Sequence, residues 1–380
     1  MFSNRKLLIT IAYGAALLVL GVAVAVTRSD ARRLRNEIAE LKRAVQGINR
    51  TLLSQEKPVA VSPLLLDYRL DVPGRGEVFP AMFTSAVPEY WPVAVLRITN
   101  SAKSPSAQVI SAEIPGWSRV TKESVVVRPL EARQVRIQAN LLPRAYLNNE
   151  IQRATLEIRA TGLDGTALYA ESHPVLIHGG SEIYWGRQFS NAQMAARWVT
   201  PHDSSVLELV SRARSYMPRG RMAGYDRAAK GDAAIARHVR AQAEAIYRTL
   251  QRSGISYVSG LFVMGEFVDQ AQRIRLPRDV LSLRNANCMD ISVTFASAIE
   301  SLDMQSVLVI VPGHAFTGVR LAPDSEDILY LDLTVLPKGS FDSAITRARQ
   351  WLRKTPPDQT LVVDVSAARA LGIYPLAPIE

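Results

Sequence analysis

Three residues carry the types that acyl-transfer chemistry needs: Cys288, His314 and Asp332, in that order along the chain. Cys288 is the sole cysteine and stands in Asn287-Cys288-Met289-Asp290, where an apolar helix begins. His314 follows in Pro312-Gly313-His314-Ala315-Phe316, and Asp332 in Tyr330-Leu331-Asp332-Leu333-Thr334. A thiol nucleophile needs a base to take its proton and a carboxylate to hold that base in one tautomer. Each residue alone also has a plain structural explanation: a buried cysteine as a small hydrophobe, a histidine at a cap or surface, an aspartate in a turn. A single cysteine excludes an intramolecular disulfide and cannot alone form a cysteine-based metal site.

The neighbouring sequence supplies elements that can bring the three together. Ile291, Phe295, Ala298 and Leu302 recur at helical spacing, which places Cys288 in a first turn. Free backbone N–H groups and the positive end of the helix dipole favour an anion there, and one N–H can form half of an oxyanion hole. Ser306 to Val311 is a nearly all-apolar run that predicts a buried strand. Pro312-Gly313 interrupts it before His314, and Ile328 to Leu333 predicts a further strand. As antiparallel neighbours, the strands carrying His314 and Asp332 would set these two side by side, next to the helix start.

Upstream, Asp232 to Arg252 reads as an amphipathic helix with Ile235, Val239, Ile246 and Leu250 on one face. Residues 212–284 hold 14 basic and six acidic side chains, a solvated basic face or a guide for an acidic partner or polypeptide. Neither aromatic interleaving nor a recognised nucleic-acid motif accompanies it, so no nucleic-acid partner is expected. His202-Asp203 beside Pro201 reads as a helix cap with an exposed histidine rather than as metal ligands.

At 380 residues, the chain exceeds what one core usually organises, and its 48% hydrophobic content excludes a largely disordered protein. The net charge of +10 is uneven, with +6 of it in residues 1–57. Leu7 to Thr27 is 21 residues without a charge, enough for a transmembrane helix. The alternative is a cleaved signal peptide ending near Ala23-Val24-Ala25. Leu34, Ile38, Leu41, Val45, Ile48 and Leu52 follow a/d spacing, a short coiled coil that would make a homo-oligomer through residues 34–52, or else one amphipathic helix. The Lys/Arg count around the span places the soluble part in the cytoplasm of a single-pass bacterial inner-membrane protein, with the periplasm as the alternative.

From residue 64 the pattern changes to short alternating runs such as Val93 to Ile98 and Thr155 to Ala160, broken at Pro115-Gly116 and Gly162 to Gly165. These predict an immunoglobulin-like sandwich without an inter-sheet disulfide, serving as a spacer or interaction module. The expected fold class is multidomain. It comprises a tail and transmembrane anchor over 1–27, a coiled-coil stalk over 28–57, an all-β sandwich over 64–180, and an α+β domain over 190–380.

Residues 232–335 resemble the transglutaminase-like superfamily of papain-like thiol enzymes, on the Cys288, His314 and Asp332 motifs quoted above. The resemblance implies a papain-like α+β fold, with Cys288 as nucleophile, His314 as base and Asp332 as orienting acid. It implies acyl chemistry through a thioester on a protein or peptide substrate, with no metal and no cofactor. Gln272 is the candidate second oxyanion donor. Ala286 stands where the family often has glycine, and Phe316 where it commonly has tryptophan. Hydrolysis, deamidation and transfer to an amine share the same acyl-enzyme, with hydrolysis preferred because water is always present. The competing reading is a non-catalytic binding or assembly module that works through its β-sandwich and coiled coil.

Overall fold

A computed structural model describes residues 65–72, 76–83, 92–226, 231–258 and 271–376. The long strands of its first half are β1 (Leu66–Asp71), β2 (Ala94–Asn100), β3 (Ser106–Glu113), β4 (Thr121–Val127), β5 (Ala132–Ile137), β6 (Gln152–Gly162) and β7 (Ala167–Ile177). They form one sheet of order β1-β2-β5 and a second of order β7-β6-β3-β4, all antiparallel, with the short strand Glu77–Val78 added in parallel beside β7. Period-two alternation explains their pairing. Ala94, Leu96 and Ile98 of β2 point inward to meet Ile110, Leu156 and Ile158 of the opposite sheet, while the intervening residues stay partly or fully exposed.

The second half contains α1 (Ser204–Ala213), α2 (Asp232–Arg252), α3 (Pro277–Leu283), α4 (Cys288–Glu300), β8 (Ser306–Val311), β9 (His314–Arg320), β10 (Ile328–Leu331), α5 (Phe341–Lys354), β11 (Leu361–Asp364) and α6 (Val365–Ala370). The sheet order is β10-β9-β8-β11, antiparallel throughout. Every residue of β8 is buried because both faces of the sheet are covered. Leu308 and Ile310 join Met289, Val293 and Ala296 of α4 on one side, and Val307, Val309 and Val311 join Ala348 of α5 on the other. α4 is buried continuously from Cys288 to Ile299, so this helix, and not its amphipathic neighbour α2, is the centre of the fold. Burial of each of its large apolar side chains contributes roughly 1.5–3 kcal/mol.

The expected fold class requires correction: the described residues are mixed α/β with many strands. They fall within one compact unit, Leu65–Glu380. The reason is visible in the packing. Phe79, Ala81 and Met82, from the strand-rich part of the chain, are buried in the same core as Trp198, Met289 and Ile310. The two sheets close on their own apolar cluster, and the segment Phe79–Met82 ties them to the helix-rich part. The transmembrane and coiled-coil stretches, and with them the oligomer through residues 34–52, lie outside the described residues. The single-pass inner-membrane placement is corrected to what the described residues show: no helix among them is long and apolar enough to cross a membrane.

Candidate active site

Cys288 is held at the first position of α4 by its neighbours. Asn287 is the N-cap: its Oδ1 accepts hydrogen bonds from the backbone N–H of Met289 and Asp290, both at 2.9 Å. Asp290 returns the favour by accepting the Asn287 N–H at 3.1 Å, which completes a capping box. Asp290 is fully buried and also accepts the Arg275 N–H at 2.9 Å and Arg275 Nη1 at 3.1 Å. Burial raises its carboxyl above the ordinary range, while the hydrogen bonds from Arg275 and Asn287 oppose that rise. The cap thus occupies the N–H groups of Met289 and Asp290, and no hydrogen bond among the described residues occupies that of Cys288. One donor remains beside the thiol for an acyl oxygen.

His314 opens β9 immediately after a two-residue hairpin, in which Val311 pairs with His314. Gly313 has φ +74° in this turn, a conformation that side-chain-bearing residues adopt with strain, and the space beside it is open. Glycine is required here for its backbone alone. β10 pairs with β9 with Thr317 opposite Leu331, so the chain leaves the sheet at Asp332. Asp332 was expected inside the strand; it instead caps the short 3₁₀ helix Leu333–Val335. From there its Oδ2 lies 2.9 Å from His314 Nε2.

Asp332 is fully buried and surrounded by donors. Oδ1 accepts the Thr334 N–H at 3.1 Å and the Thr334 hydroxyl at 2.6 Å. Oδ2 receives Trp351 Nε1 at 3.2 Å in addition to His314, and Arg347 Nε stands 3.4 Å away. Burial would raise this carboxyl, but the hydrogen bond and charge of His314, reinforced by Thr334, hold it below its ordinary value. For His314 the balance runs the other way. Burial disfavours its charged form, yet the hydrogen bonds and charges of Asp332 and Cys288 push it up to about 9. Because Nε2 faces Asp332, Nδ1 is the nitrogen left for the thiol. The imidazole also stacks on Trp351, with ring centroids 4.7 Å apart.

The structure therefore brings Cys288, His314 and Asp332 together, and it treats Gln272 differently. Gln272 lies in the short strand Ala271–Arg273 opposite Ile183, and its Oε1 accepts a hydrogen bond from Trp185 Nε1 at 3.0 Å. No hydrogen bond among the described residues joins it to Cys288 or His314. Three residues that sequence reasoning missed stand close to the chemistry. Trp351 and Arg347 are four apart on α5 and reach Asp332 together. Tyr257 comes from the two-residue strand Ser256–Tyr257, which pairs in parallel with Asn285–Ala286 just before Cys288. Burial, the nearby Cys288 and Asp332, and a hydrogen bond with Cys288 raise its phenol above its ordinary value, against the pull of Arg347.

Asp203 caps α1 by accepting the Ser205 N–H at 2.9 Å. Among the described residues no group of three His, Cys, Asp or Glu side chains is placed to hold a metal ion. The chain matches no protein-family model, and none of the curated proteins searched matches it.

Proposed function

We propose that this protein is a cysteine acyl-transfer enzyme of the transglutaminase-like kind, an amidase or peptidase acting on a protein or peptide substrate. The observation that carries the reading is His314, bonded through Nε2 to a fully buried carboxylate while Cys288 acts on the same ring. The proton of Cys288 Sγ passes to His314 Nδ1, and Sγ attacks the carbonyl carbon of an amide. The C–N bond breaks as His314 returns the proton to the departing amine. Water then cleaves the thioester, releasing the acid and restoring the thiol. Asp332 keeps the imidazole in one tautomer and stabilises its charged form. The Cys288 N–H, with Tyr257 beside it, stands where the acyl oxygen becomes negative.

One observation favours the competing non-catalytic module: Cys288 is only 2% exposed and belongs to an apolar cluster. Alkylation separates the two. An ordinary thiol is well under one per cent thiolate at pH 6. Under the enzyme reading, Cys288 alkylates with iodoacetamide at pH 6 at least about tenfold faster than a free thiol, and His314→Ala removes that advantage. An ordinary or slower rate, unchanged by His314→Ala, supports the binding module instead.

A further inference from the structure

A second feature lies away from the thiol, in a cavity of about 1030 Å³ between the one-turn helix Pro143–Leu147 and α3. Four arginines line it (Arg197, Arg273, Arg275 and Arg278) against a single carboxylate, Asp279. Phe83, Leu141, Tyr146 and Leu276 supply apolar wall. Two of the arginines are already engaged. Arg275 reaches back to Asp290, and Arg273 Nη2 donates to Asn149 Oδ1 at 3.1 Å.

Arg197 is different. It is 7% exposed, its Nη1 donates to the Phe83 carbonyl, and its Nε is buried without a partner. No carboxylate pairs with it among the described residues, and its charged neighbour is another cation, Arg369. Buried charges are ordinarily paired, because an unpaired one carries an uncompensated desolvation cost. A guanidinium left this way at the wall of a cavity carries an unneutralised charge that attracts a carboxylate entering beside it.

We propose that this cavity binds an extended acidic peptide, one carboxylate side chain of which pairs with Arg197 while flanking apolar side chains lie against Phe83, Leu141 and Tyr146. The excess of positive charge selects the carboxylate, and the cavity exceeds what a small organic anion fills. Arg278, half-buried at the rim, adds to the attraction. The proposal is independent of the thiol chemistry.

The test uses full-length Cys288→Ala protein, so that turnover and binding are separated, and a fluorescein-labelled peptide of alternating leucine and glutamate followed by anisotropy. Saturable binding is expected, at least tenfold tighter than for the same peptide with glutamine in place of glutamate. Arg197→Met is expected to weaken it at least tenfold in protein that remains folded by circular dichroism, and Arg278→Gln severalfold. Equal affinity for the two peptides, or unchanged affinity in Arg197→Met, would overturn the proposal. Binding of decanoate but not of peptide would overturn it in favour of a lipid carboxylate. Peptide binding only after removal of residues 377–380 would overturn it in favour of the chain's own terminal residues.

Discussion

Asp332 and Arg197 are both charged and almost wholly removed from water, yet their surroundings differ. Asp332 receives His314, Thr334 and Trp351, with Arg347 close by, so both of its oxygens are occupied. Arg197 donates to one backbone carbonyl and keeps a buried Nε without an acceptor. A buried charge with every lone pair engaged is a positioning device, since its partners hold it and it holds them. A buried charge with an empty valence exerts its field on whatever enters the adjoining space. The first kind resists substitution because its partners are left stranded. The second tolerates loss of its charge better, because only the Phe83 carbonyl depends on it.

The sharpest way to break this contrast is to remove each charge. Asp332→Ala strands the His314 imidazole and the Trp351 and Thr334 donors, and is expected to destabilise the protein by about 3–5 kcal/mol in urea denaturation. Arg197→Met replaces an unpaired ion by an apolar chain of similar length and strands only the Phe83 carbonyl, so relief of the unpaired charge is expected to hold the cost to about 1 kcal/mol. A comparable loss in Arg197→Met would make both charges structural and erase the distinction.

The pH dependence gives the next largest effect. The folded protein holds His314 up to about 9, above the ordinary value near 6.5. Its stabilisation is therefore fully present below pH 6.5 and is lost as pH rises through 9. Asp332→Asn removes most of it, so the stability gap between wild type and this variant should be about 3 kcal/mol at pH 6 and close to zero at pH 10. A gap that does not narrow would mean that His314 is neutral in the folded state. The same proton sets an alkaline limb near pH 9 in turnover, because the leaving amine takes its proton from the imidazolium.

The difference between the two charges also explains how much of the site could be read from sequence. Cys288, His314 and Asp332 stand at element boundaries with local signatures: an asparagine cap, a Pro-Gly hairpin, and the end of an apolar run. Trp351 and Arg347 have no such mark. They sit on an ordinary amphipathic helix, and nothing in the spacing says which turn faces Asp332. Tyr257 is placed by a two-residue strand too short to have a period. The hydrogen bond that holds Gln272 was hidden for a related reason, since its partner Trp185 lies 87 residues away. α2 and β8 were legible from periodicity and from a continuous apolar run. The burial of Phe79 and Met82 in the helix-rich core was not, because neither carries a label for the core it enters. Arg197 was invisible for the opposite reason: an unmet hydrogen bond exists only after folding.

Smaller effects refine the account of Asp332. Trp351→Phe keeps an aromatic surface against His314 but deletes one donor to Oδ2. It should cost about 1 kcal/mol, and pH 6 alkylation should slow severalfold because the carboxylate loses one of the bonds that orient it. Stability falling with no change in labelling would assign Trp351 to packing alone.

The smallest expected change separates the cap from the charge. Asn287→Ala frees the N–H groups of Met289 and Asp290 and should cost about 1 kcal/mol, a typical N-cap loss. Those freed donors lie in the first turn of α4, where they add to the positive end of the helix beside Cys288. Labelling at pH 6 should therefore hold or rise in Asn287→Ala while stability falls, the reverse of the pattern for Trp351→Phe. If both variants slow labelling to the same degree, the thiol responds only to the general order of the helix start. If they diverge, the donors around Asp332 and the donors around Cys288 act as separate electrostatic inputs to one proton transfer.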